Sequence, residues 1–216
     1  MDAIHLAISL GPLAAYFLLV GAVNLRPRPV VINGARDSAA LGIAVSGFVM
    51  CGPVELFFPE TMAFHMGAYV WILLLALYAL CLTLLALLMR PRLIIYNLTR
   101  DQLRPLLAQL VTELDRDARW AGESLAIPKL GVQLYVESSP AMRTVQLVAA
   151  GPHQSYEGWR RLERALAGLL AATPGKRNAI GFTLVGISIV LIAVLTTCLI
   201  HNPAQATQAL RAMLRL

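Results

Sequence analysis

Four runs of apolar residues divide the chain: Ile4–Leu25, Ala39–Phe58, Gly67–Met89 and Ala179–Ile200. An α-helix rises about 1.5 Å per residue, so a hydrocarbon layer of roughly 30 Å takes about 20 apolar residues to cross. Each run reaches that length. Gly67–Met89 has no charged residue, and the one carboxylate in Ala39–Phe58 is Glu55, close to its end. Buried helices of a small soluble domain would keep a polar face. The pattern therefore predicts transmembrane helices over 4–25, 39–58, 67–89 and 179–200.

The period changes between the third and fourth runs. Arg92–Tyr96 is a short apolar stretch that reads as a strand. Thr99 with Gln102 three residues on has capping-box spacing. Leu103, Leu106, Leu107, Leu110, Val111 and Leu114 then recur at helical spacing, although Pro105 predicts a later start or a bent first turn. The charges that follow, Glu113, Asp115, Arg116, Asp117 and Arg119, read as a solvated surface. Gly122–Ile127 predicts one strand stopped by Pro128. Val132, Leu134 and Val136 alternate with Gln133, Tyr135 and Glu137, and Val145, Leu147 and Ala149 with Thr144, Gln146 and Val148, across a Ser138-Ser139-Pro140 turn. These two segments predict an antiparallel hairpin. Tyr156–Ala172 aligns Trp159, Leu162, Leu166, Leu169 and Leu170 on one helical face and Arg160, Arg161 and Arg164 on the other. The expected fold is an α-helical membrane protein with four transmembrane helices, three before and one after an inserted α+β module of order β-α-β-β-β-α. The expected divisions are 1–89, 90–178, 179–200 and a tail, 201–216, that reads as a short interfacial helix.

Composition agrees: 58% of the 216 residues are hydrophobic and 14% charged, against roughly 45–50% and about 25% for soluble domains. Disorder is excluded by that balance, and a disulfide scaffold by having three cysteines, Cys51, Cys81 and Cys198, all inside apolar runs. Met1-Asp2-Ala3 is not a basic start and the first run is too long for a signal peptide, so a retained helix is expected. Lys and Arg favour the cytoplasmic side. Counted segment by segment between the runs, they number 0, 3, 0, 13 and 2. That alternation predicts both termini outside a cell membrane of the inner, multi-pass kind, with 90–178 in the cytosol. Segment 90–178 has 13 bases against 8 acids, a balance that suits anionic lipid.

Small residues, rather than hydrophobicity, bring helices together in lipid. Ala7, Gly11 and Ala15 in the first helix, and Gly42, Ser46, Gly47 and Cys51 in the second, predict that these two pack closely. Gly11-Pro12 and Gly52-Pro53 predict a kink or a turn. Asn33-Gly34 reads as an ordinary turn and Ser38 as the N-cap of the second helix.

Catalytic signatures are missing: the chain has no GxSxG, HExxH or CxxC and no phosphate-cradling glycine loop. The α-β-β-β-α order of the module matches that of double-stranded RNA-binding domains, but only Lys129 and Lys176 are lysines there and no basic stretch opens the second helix. No nucleic acid is expected. Two groups of candidate residues remain. His5, His65, His201 and Glu55 fall at one depth of the predicted bilayer and are candidate ligands for a metal or haem iron, although they lack ligand spacing within any helix and no cofactor is expected. Arg90, Arg92, Arg160, Arg161, Arg164, Lys176 and Arg177 are candidates for lipid headgroups or a partner. The expected role is non-catalytic, with the module binding a partner, lipid or small ligand in assembly or regulation. The expected partners are the bilayer and another membrane protein or a second copy. The alternatives are a metal- or haem-dependent redox component using the outer histidines, or a small transporter subunit with the Gly-Pro breaks along its path.

Overall fold

A computed structural model describes residues 3–54, 56–57, 59, 65–140, 142–201 and 203–214. The chain divides into two compact units, one of residues 1–20, 38–88 and 183–216, the other of residues 21–37 and 89–182. Glu55 lies outside the described residues.

Among the described residues four helices are long and apolar enough to cross a membrane: α1 (Ala3–Leu25), α2 (Gly34–Val49, continued by a π-helical turn over Met50–Val54), α3 (Tyr69–Leu88) and α6 (Ile180–His201). The expected segments 4–25, 39–58, 67–89 and 179–200 each overlap one of them, the second helix beginning at Gly34, five residues before the expected start. Pro12 leaves α1 continuous, whereas Gly52-Pro53 coincides with the π-helical turn. Inside the first unit the expected contact of α1 with α2 is present but narrower than the small-residue pattern implied. Gly47 carries it: a Cβ there would come within 1.9 Å of the Ile8 carbonyl oxygen, whereas Gly11 has no neighbour within 4 Å. Gly42 faces α3 instead, against Leu82, and its carbonyl accepts from Tyr78 Oη at 2.7 Å. Ser188 Oγ on α6 donates to the Ala14 carbonyl at 2.8 Å, so α6 also packs on α1.

The second unit is a six-stranded antiparallel sheet with two helices. Its elements are β1 (Val30–Asn33), β2 (Arg92–Tyr96), α4 (Arg100–Leu114), β3 (Arg119–Ala121), β4 (Ser124–Ile127), β5 (Val132–Ser139), β6 (Thr144–Ala149) and α5 (Tyr156–Ala172). The strand order is β1-β2-β6-β5-β4-β3. Two strands correct the expected β-α-β-β-β-α order. The loop after α1 supplies β1, pairing Val30 with Tyr96 and Val31 with Ile95. The single strand expected over Gly122–Ile127 is the second arm of a hairpin, with Gly122 at φ +62° between β3 and β4. Consequently Asn33-Gly34 joins a strand to a helix: Asn33 Oδ1 accepts from the Ala35 N–H at 2.9 Å and caps α2, a role Ser38 does not take.

One sheet face carries the core. Leu93, Leu147 and Val136 form one cross-strand row, and Ala149, Leu134, Leu125 and Trp120 the next. α4 lays Leu103, Leu107, Leu110 and Val111 on this face, and α5 adds Trp159, Leu162, Leu166 and Leu170. The Thr99–Gln102 capping box forms as the spacing predicts, and α4 runs from Arg100 straight through Pro105. A short tail helix, α7 (Pro203–Leu214), follows α6.

Asp115, read from the sequence as part of a solvated run, is only 1% exposed. It closes α4 onto the turn after β4: Oδ2 accepts from the Lys129 N–H and Oδ1 from the Asp117 N–H, both at 2.9 Å. The Lys129 backbone N–H is the main force holding its carboxyl below the usual range, against desolvation, and the Asp117 N–H and the Lys129 ammonium at 3.8 Å add to it. A carboxylate with a lowered pKa in the folded state stabilises that state above its unfolded value, near 4, and loses the contribution as pH falls through the folded value. The melting temperature of the second unit should therefore fall on acidification from about pH 5 downward. Asp115→Asn should lower the melting temperature at pH 7 and flatten that acid limb. An unchanged limb in the variant would assign the acid sensitivity to other groups.

Candidate functional site

The core row that ends at Trp120 runs out at the sheet edge, because β3 is the terminal strand. Trp120 is 36% exposed there, although its row partner Leu125 is 1% exposed. α4 crosses the same face. Between helix and edge lies a shallow, open groove, floored by Leu103, Leu107 and Val136 and walled by Trp120. Arg100, Arg104 and Glu123 rim it. Arg100 forms an ion pair with Glu123. The Arg104 guanidinium lies 5.9 Å from the Trp120 ring centroid, within cation–π range, and among the described residues no carboxylate pairs with it. An apolar floor, an aromatic wall and an unneutralised guanidinium suit reversible binding of an apolar group adjoining a negative charge.

The sequence did not single this groove out. Arg104 and Trp120 are sixteen positions apart and belong to a helix and a strand that touch only after folding. An exposed tryptophan flanked by Arg119 was the one local signal.

The residues that the sequence did single out are placed differently. His5 stands near the start of α1 and His65 is exposed. His201 ends α6, its Nδ1 3.0 Å from the Thr197 carbonyl oxygen. Among the described residues no three of His, Cys, Asp and Glu are grouped as metal ligands would be. Of the basic candidates, Arg90, Arg160, Arg161, Arg164, Lys176 and Arg177 are exposed. Arg161 pairs with Glu157 at 2.6 Å, and Arg164 Nε donates to the Arg160 carbonyl at 3.2 Å. Arg92 is drawn inward, and its methylenes occupy the space a Cβ at Gly34 would need.

A second polar cluster escaped the sequence reading. Asn24, Asn97 and Asn178 are all at least 95% buried. Asn97 Nδ2 donates to the Val23 and Arg26 carbonyls at 2.9 and 3.2 Å. Asn178 Nδ2 donates to Asn24 Oδ1 at 3.1 Å and to the Met142 carbonyl at 2.7 Å. Within the second unit these bonds tie the last turn of α1 and the lead into α6 to one end of the sheet. Asn97 Oδ1 is buried and accepts no hydrogen bond among the described residues, but the bonds that form join segments of the chain, and the cluster reads as a fastening rather than a binding site.

No protein-family description, curated protein or solved structure matches this chain.

Proposed function

We propose that the chain is a multi-pass membrane protein whose helices lie in the bilayer, with both termini outside and the sheet unit in the cytosol, and that this unit binds a partner in assembly or regulation rather than performing catalysis. The observation that carries the reading is the direction in which the apolar side chains point. In α3 only 11% of an 18-residue window of mean hydropathy 2.7 is buried, and α6 has the same share buried at 2.6. Leu80, Leu84 and Leu87 are 65%, 55% and 78% exposed. Water would make such a surface costly at roughly 25 cal/mol per Å², whereas lipid removes that cost. The second unit, with sixteen Lys and Arg against nine Asp and Glu, belongs by the charge rule on the cytoplasmic side. Its groove supplies a surface for binding, and the exposed arginines of α5 suit anionic headgroups.

Lys129 gives the test. Its side chain is 60% exposed, so Lys129→Cys, in a chain whose three native cysteines are replaced by serine or alanine, presents an accessible thiol. A membrane-impermeant maleimide should label it in inside-out vesicles and leave it unlabelled in intact cells. Labelling from outside, or recovery of the chain in the soluble fraction after carbonate extraction, would refute the proposed placement.

A further inference from the structure

We propose that the free edge of β3 is a docking strand for an extended peptide with alternating acidic and apolar residues, which adds to the sheet as a seventh strand beside the Trp120 groove. The inference rests on the binding role proposed above and names the partner chemistry.

The backbone leads to it. Ala121 and Ser124 close a two-residue hairpin loop, so they exchange the closing pair of hydrogen bonds. The next residue of β3, Trp120, then turns its N–H and C=O away from β4. Among the described residues no strand lies beyond β3, which leaves the edge able to accept main-chain pairing from another chain. At the opposite edge of the sheet α5 packs against β1.

The side chains determine what kind of strand fits. A strand added about 4.8 Å from β3 places alternate residues on the two faces. On the helix-bearing face the new neighbour is Trp120, over the apolar floor of Leu103 and Leu107. An apolar residue there extends the cross-strand row from Ala149 through Leu134 and Leu125 to Trp120. On the other face the neighbours are Arg119 and Ala121, and both are exposed. Arg119 and Arg104 have no carboxylate partner among the described residues, while the one acid at the groove, Glu123, is held by Arg100. A carboxylate opposite Arg119 gains an ion pair, whereas a lysine there meets a like charge. The sheet unit as a whole also has seven more basic than acidic residues, which favours encounter with an acidic segment.

The experiment uses the full chain in lipid nanodiscs and three fluorescein-labelled heptapeptides. One alternates glutamate and valine, one alternates lysine and valine, and one is the first peptide with alternate backbone amides methylated. The glutamate peptide should bind saturably in fluorescence anisotropy, at least about tenfold more tightly than the lysine peptide, a difference of about 1.4 kcal/mol. Methylation should abolish binding. Arg119→Glu should reverse the preference between the first two, and Trp120→Thr should weaken the glutamate peptide about tenfold. Equal binding of the glutamate and lysine peptides, or equal binding of the methylated form, overturns the proposal and needs no protein variant that might misfold. Equal binding of the glutamate peptide to Arg119→Glu and to the parent, combined with loss of phosphatidylserine-vesicle binding in that variant alone, would assign Arg119 to lipid headgroups and overturn it too. Failure of the peptide to bind leaves the labelling result for Lys129→Cys untouched, so the two proposals fail separately.

Discussion

Gly158→Ala should cost the second unit about 3 kcal/mol or more, although it adds one methyl group to a helix. Gly158 sits in the first turn of α5, where its N–H donates to the capping Ser155 Oγ at 3.1 Å. A Cβ there would lie 1.9 Å from the Leu130 carbonyl oxygen and 2.9 Å from Val132 Cγ2. The obstacle is backbone, so it cannot swing aside as a side chain would. To admit the methyl, α5 must tilt off the sheet and take Trp159 and Leu162 with it, which are 4% and 0% exposed. Helix propensity runs the other way, since alanine is favoured over glycine in a helix by about 0.5–1 kcal/mol. Gly168→Ala supplies the control, because nothing lies within 4 Å of a Cβ at that position of the same helix. That variant should gain up to about 1 kcal/mol. Thermal unfolding in detergent, followed by near-ultraviolet circular dichroism, should separate the two variants by roughly 10 °C or more for a unit of this size. Similar melting temperatures for both would mean that α5 does not approach the Leu130 turn this closely.

Asn97→Leu should be nearly as damaging, at about 3 kcal/mol. Asn97 is completely buried and has φ +64°, a left-handed conformation that asparagine tolerates better than most residues. Its amide serves two carbonyls of the last turn of α1 and the segment after it, Val23 and Arg26. Leucine fills a similar space but leaves both acceptors without this donor and adds backbone strain of about 1–2 kcal/mol. Asn97→Gly removes the strain and keeps the loss of hydrogen bonds. The glycine variant should therefore recover about 1–2 kcal/mol relative to the leucine variant. Equal stability of the two would show that backbone conformation plays no part at this position. Chemical unfolding followed by tryptophan emission, with Trp159 buried in the core, reads the difference.

Local periodicity made much of this architecture legible. The helical spacing of Leu103, Leu107, Leu110 and Val111, and the alternation of Val132, Leu134 and Val136, record which side chains must leave water. The capping box at Thr99 and Gln102 is a three-residue signal and forms as read. β1 was missed because Val30, Val31 and Ile32 are too few to show a period, and their partners Tyr96, Ile95 and Ile94 lie more than sixty positions away. β3 was missed because Arg119, Trp120 and Ala121 are all exposed and show no buried face. Asp115 was misread because a charge among charges looks solvated until Lys129, fourteen positions on, closes over it.

The candidate site divides along the same line. The histidines and juxtamembrane bases were visible because residue type and depth along a span are properties of the chain itself. The Trp120 groove was not, because its floor, wall and rim come from α4, β3, the β3–β4 turn and β5. By itself the sequence determined the four long apolar helices, the positions of α4 and α5 and the hairpin of β5 with β6, since each depends on neighbours within a few turns or a single reversal. Only the tertiary structure decided that the loop after α1 completes the sheet, that three asparagines fasten it, and that the sheet ends on a half-exposed tryptophan. Those features are pairings between distant segments, and a pairing that gains free energy only when two remote stretches meet leaves little pattern in either stretch alone.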